Sequence, residues 1–175
     1  MQPFPNPFRP GAGQPPPYLA GREKEANEFK SLLFQKPILK NLIITGLRGV
    51  GKTVLLESFK TVAVNNGWFW AGTDLSESAS ISEHNLSIRI LTDLSTLVSS
   101  FTISEEEKSS IGFIKNADKI EIKLTYETLF NIYKATPGLE TDKLKHILEI
   151  IWNVVKEKVN GIVLAYDEAQ ILKDK

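Results

Sequence analysis

The run Gly46-Leu47-Arg48-Gly49-Val50-Gly51-Lys52-Thr53 lies between two apolar segments of different period. Before it, residues 41–45 (NLIIT) are short, apolar and β-branched, the composition of a strand buried in a parallel sheet. After it, Val54, Leu55, Leu56, Phe59, Val62 and Ala63 recur at helical spacing, and Asn66-Gly67 is suited to closing a helix. A strand, a glycine-rich loop and a helix in direct succession predict an α/β fold, a parallel sheet flanked by helices.

The eight residues fit the pattern G-x-x-x-x-G-K-[ST], and each part has a physical reason. Glycines let backbone N–H groups turn inward and approach phosphate oxygens closely. The helix that begins near Gly51 points the positive end of its dipole at the same place. The Lys52 ammonium is of the right type to reach β- and γ-phosphates, and the Thr53 hydroxyl to ligate Mg²⁺. Gly46, Leu47, Arg48, Gly49, Val50, Gly51, Lys52, Thr53 and Val54 are therefore the candidate phosphate-binding residues. The Arg48 side chain itself reads as exposed.

A second pattern lies about 110 residues downstream. Residues 162–166 (IVLAY) form an apolar strand pattern that ends in Asp167-Glu168. An acid at the C-terminal end of such a strand can hold the water shell of a magnesium ion, which suits Asp167. The next residue points elsewhere and can orient or deprotonate an attacking water, which suits Glu168. With the glycine-rich loop upstream, the pair reads as a Walker B element. No Asn-Lys-x-Asp guanine-reading motif occurs, and nucleoside kinases usually lack a Glu directly after the Walker B Asp. ATP with Mg²⁺ is the expected nucleotide, and Lys52 and Glu168 are the candidate catalytic residues.

Residues 1–17 hold seven of the nine prolines and read as an extended arm or linker. A helix is predicted over 22–35, where Ala26, Phe29, Leu32 and Leu33 share one face before Lys36-Pro37. Residues 68–73 (WFWAGT) read as a second strand whose aromatic side chains pack a core. Further helices are predicted over 83–99 and 139–158. Two β-prone runs, 111–114 and 119–124, flank Asn116-Ala117-Asp118 and predict a hairpin.

Composition bounds the remaining functions. The 175 residues suffice for one sizeable core, and 42% hydrophobic with 24% charged residues is ordinary for a globular chain. Lys and Arg number 21, as do Asp and Glu, so net charge gives no pull toward nucleic acid or an anionic membrane. The absence of cysteine excludes disulfides and thiolate metal sites. His84 and His146 show no ligand-like spacing. No apolar run approaches the roughly 20 residues of a membrane span. The start, Met1-Gln-Pro-Phe-Pro, is no signal peptide, and a cytoplasmic location is expected.

Taken together, Pro17-Tyr18-Leu19-Ala20-Gly21-Arg22-Glu23, a helix, the glycine-rich loop and the final apolar strand with Asp167-Glu168-Ala169-Gln170 carry a family resemblance. Over residues 17–175 or so, the chain resembles AAA+ ATPases of the prokaryotic origin-recognition-like and STAND-related group. The resemblance implies a P-loop NTPase-type parallel sheet. It also implies that Tyr18, Leu19, Ala20 and Gly21 line an adenine pocket and that Arg22 helps fix that segment. ATP and ADP are the implied ligands, with a protein partner or further copies of the chain left open.

In that family the chain continues past Walker B to a sensor strand, a fifth strand and a helical lid, often with an arginine finger. Here none of these follows Glu168. The expectation is that residues 18–175 are the N-terminal part of an ATPase domain. The alternatives are a rearranged sheet or a slot filled by another chain. The functional expectation is ATP binding and weak hydrolysis that drive conformational change. The alternative is a nucleotide-gated switch with little turnover, and a P-loop kinase comes third.

Overall fold

A computed structural model describes residues 21–38, 40–72, 74–75, 82–104 and 121–169. The chain divides into two compact units, Met1–Trp68 and Phe69–Lys175. The proline-rich arm, the run 111–114 and the turn 116–118 lie outside the described residues.

Within the first unit, α1 (Glu23–Leu33) packs on α2 (Lys52–Asn65). The apolar spacing read from the sequence is the contact face. Phe29 and Leu33 on one helix are buried, as are Leu55, Phe59 and Ala63 on the other. The rings of Phe29 and Phe59 stack with centroids 4.4 Å apart. The end of α2 falls where the Asn-Gly pair predicts. The Asn66 amide caps onto Val62 and Ala63 carbonyls, and its side chain donates to Val62 O at 2.8 Å.

Residues 41–45 do not form the expected buried strand. They have no regular structure, and Ile43 is 80% exposed. No backbone hydrogen bond ties them to another described segment. A strand is held by its ladder and by packing against neighbours, so β-branched composition alone leaves an extended stretch.

The second unit holds the main core. Strand β1 (Trp68–Ala71) pairs in parallel with β4 (Gly161–Leu164) as a two-stranded sheet. The pairing continues past both strands, with Ala165 N donating to Ala71 O at 2.8 Å and a parallel bridge between Asp74 and Asp167. Between these strands in sequence come α3 (Glu83–Val98), β2 (Thr102–Ser104), β3 (Glu121–Lys123), α4 (Tyr126–Ala135) and α5 (Glu140–Val155). The three helices pack pairwise. Leu91, Leu94 and Val98 of α3, Leu129 and Tyr133 of α4, and Ile147, Ile151 and Val155 of α5 are all buried in one cluster. Each set recurs at three- or four-residue intervals, which places it on one helix face.

Among the described residues, 121–123 pairs with Thr102–Ser104, and Ile103 faces Ile122 in an antiparallel pair; the expected hairpin with 111–114 lies outside the described residues. Helix α4 has no counterpart among the helices predicted from the sequence, although its start is well signed. The Thr125 hydroxyl accepts from the Thr128 amide at 3.3 Å, an ordinary N-cap. At only 10 residues its periodicity is short, and the β-prone run just before it masks the change of period.

Candidate functional site

The glycine-rich loop 46–51 runs directly into α2, and Gly51 is the N-cap. Its φ of +83° lies in the left-handed region, which a side chain would strain. Lys52 opens the helix and its side chain curls back over the loop. Its ammonium donates to the carbonyls of Gly46 and Leu47, both at 3.0 Å. An ammonium has three donors, so one N–H keeps no protein partner among the described residues. Leu47, Arg48, Val50 and Thr53 are exposed, so the loop is open to solvent. Val54 is half-buried on the first turn of α2.

The N-terminus of α2 differs from the other described helix starts. Ser82 caps α3 and Thr125 caps α4 through their hydroxyls. At α5 the Asp142 carboxylate accepts from the Leu139 amide at 3.0 Å. Helix α1 has Glu23 and Glu25 in its first turn. Only α2 among them has neither a side-chain cap nor an acid there. Its first amides and positive dipole end therefore meet no negative group of the helix itself.

Arg22 reaches this loop as well. Its Nη2 donates to the Val50 carbonyl at 3.0 Å, and its Nη1 donates to Glu25 Oε1 at 2.7 Å. The hydrogen bond from Arg22 holds the Glu25 carboxyl below the usual carboxylate range. Gly21, with φ +74°, adjoins Arg22 in the chain. Tyr18, Leu19 and Ala20, the rest of the expected adenine segment, lie outside the described residues.

Asp167 and Glu168 follow β4 in the second unit. The Asp167 carbonyl accepts from Leu75 N at 3.1 Å, which extends the parallel pairing to the acidic pair that follows β4. The Asp167 carboxylate accepts from the Glu168 amide at 2.8 Å. Glu168 has φ +56°, the one described non-glycine residue in the left-handed region, and its side chain is exposed. Such a conformation costs of order 1 kcal/mol or more and is found often at functional positions.

The residue before this pair is anchored in a way the sequence does not announce. The Tyr166 hydroxyl donates to Asp93 Oδ2 on α3 at 3.1 Å, and Arg89 Nε lies 3.4 Å from the same oxygen. Burial, followed by the Asp93 charge, pushes the phenol well above its ordinary range. Arg89 and Asp93 are legible as a helical i,i+4 pair. Their contact with Tyr166, 73 residues further on, is tertiary.

Gly46, Leu47, Val50, Lys52 and Arg22 thus converge within the first unit, and Asp167 and Glu168 adjoin in the second. The two expected magnesium ligands, Thr53 and Asp167, belong to different units. Among the described residues, no three His, Asp or Glu side chains gather as a metal site on their own. No described helix is long and apolar enough to cross a membrane. No protein-family model, curated protein or solved structure matches the chain.

Proposed function

We propose that the chain is a Mg-ATP-binding module of AAA+ type, in which nucleotide binding and hydrolysis drive conformational change. The observation that carries this is the Lys52 ammonium. It is poised over the loop carbonyls with a donor to spare, at a helix start that has no acid of its own. A fixed cation, exposed amides and a dipole end together favour a multiply charged anion. The residue types fit a triphosphate, and Thr53 and Asp167 each carry an oxygen donor of the kind magnesium prefers.

In this reading Lys52 and the amides of 46–54 hold the phosphates, and Lys52 exchanges carbonyl oxygens for phosphate oxygens. Glu168 accepts a proton from the attacking water and orients it. Magnesium, when bound, neutralises charge on the β- and γ-phosphates.

Calorimetry with Mg-ATP tests the binding step. Lys52→Ala should weaken affinity by about tenfold or more, since a charge-assisted contact is lost. Equal affinity in that variant sinks the reading. Glu168→Gln should retain binding and abolish phosphate release. Release at the wild-type rate would remove Glu168 from the role of base. Tight retention of ATP by the wild-type chain without any release would make it a nucleotide-gated switch.

A further inference from the structure

From the bond between Arg22 and the Val50 carbonyl, we infer that Arg22 is a positioning residue for the phosphate-binding amides rather than for a base-binding segment. This rests on the nucleotide reading above and specifies how that site is kept in shape. The argument begins with the peptide plane. In a trans peptide the C=O and the N–H of the next residue point in opposite directions. Arg22 Nη2 holds the Val50 oxygen at 3.0 Å, so the plane of the Val50–Gly51 peptide is pinned. The Gly51 N–H is thereby aimed away from Arg22. Glycine at 51 has the freest backbone in the chain at this point, so an external tie is needed to hold one orientation.

The guanidinium is tied at a second point as well. Its other arm is bonded to Glu25 Oε1 at 2.7 Å, one turn into α1. Glu25 and Val50 therefore take the two arms of one planar fork, a geometry that a lysine cannot reproduce.

The two cations act on opposite ends of the loop. Lys52 ties the carbonyls of Gly46 and Leu47, and Arg22 ties that of Val50. When Lys52 turns to an anion, it releases its two carbonyls. The Arg22 bond to Val50 does not involve Lys52 and continues to hold the loop. Its contribution depends on the phosphates alone and is indifferent to the base.

Titration of the full chain with Mg-tripolyphosphate beside Mg-ATP separates these roles. Arg22→Ala should weaken both ligands by the same factor, about tenfold. Arg22→Lys should recover part of the loss, about threefold remaining, because one donor survives without the fork. Glu25→Gln, which leaves Arg22 in place but loosens it, should cost about twofold for both ligands. Should Arg22→Ala fail to fold by circular dichroism, the other two variants carry the same comparison. Loss of ATP affinity with unchanged tripolyphosphate affinity overturns the inference and assigns Arg22 to the base segment. Unchanged affinity for both overturns it as well. If the wild-type chain binds neither ligand, the nucleotide reading falls and this inference falls with it.

Discussion

Residues 41–45 and strand β4 are nearly the same kind of sequence, NLIIT against GIVL, and they end differently. Each is short, β-branched and followed by a segment of the candidate site. In the first stretch Ile43 is 80% exposed and no strand forms. In the second, Gly161 is buried, Ile162 packs on the core, and β1 lies alongside as a parallel partner. The difference teaches that a β-prone run is an offer of hydrogen bonds. Only a second strand and a core beneath convert the offer into structure.

The comparison breaks most severely at Gly72, whose backbone lies against Ala165 just past β4. Its φ is +131°, and a Cβ there would land on the Ala165 carbonyl oxygen. Gly72→Val should cost about 3 kcal/mol or more, read as a lower denaturation midpoint. A neutral effect would mean that the β1–β4 pairing does not position 165–168.

A smaller effect is expected at Tyr166. Tyr166→Phe removes the bond to Asp93 and should cost about 1 kcal/mol near neutral pH. The phenol is held protonated in the folded chain above its unfolded value of about 10. A raised acid contributes its full stability below that value and loses it as pH rises above. The gap between wild type and Tyr166→Phe should therefore narrow above about pH 10 in denaturation series. A gap that widens there would exclude this hydrogen bond as the cause.

The smallest effect sharpens the contrast directly. Ile43→Ser should change stability by no more than about 0.5 kcal/mol, as at other exposed positions. Amides of 42–45 should exchange hydrogen freely while those of 162–164 are protected. A loss above about 1 kcal/mol for Ile43→Ser would show that this stretch is paired in solution.

Much of the molecule was legible because its signals are local. Phe29 and Leu33, Phe59 and Ala63, and Ile147, Ile151 and Val155 advertise buried helix faces by spacing alone. Asn66-Gly67 ends α2 where it should. The glycine-rich loop meets its helix at Gly51, as the motif requires. Helix α4 is not legible although its cap residue, Thr125, is present, because one cap signal is outweighed by the β-prone run before it. The candidate site was legible as residue types, but Arg22 reaching Val50 and Asp93 reaching Tyr166 were not, since 28 and 73 residues separate the partners.

By itself the sequence determined α1, α2, α3 and α5 with the faces they bury, the end of α2 at Asn66-Gly67, and the glycine-to-lysine run that starts α2. These depend on groups within about four residues of one another along the chain. Tertiary structure alone decided which apolar runs became strands, that 102–104 faces 121–123, and which carbonyl Arg22 holds. Those outcomes need two distant segments side by side, and the pairing energy of a ladder or a long-range hydrogen bond is written in neither segment separately.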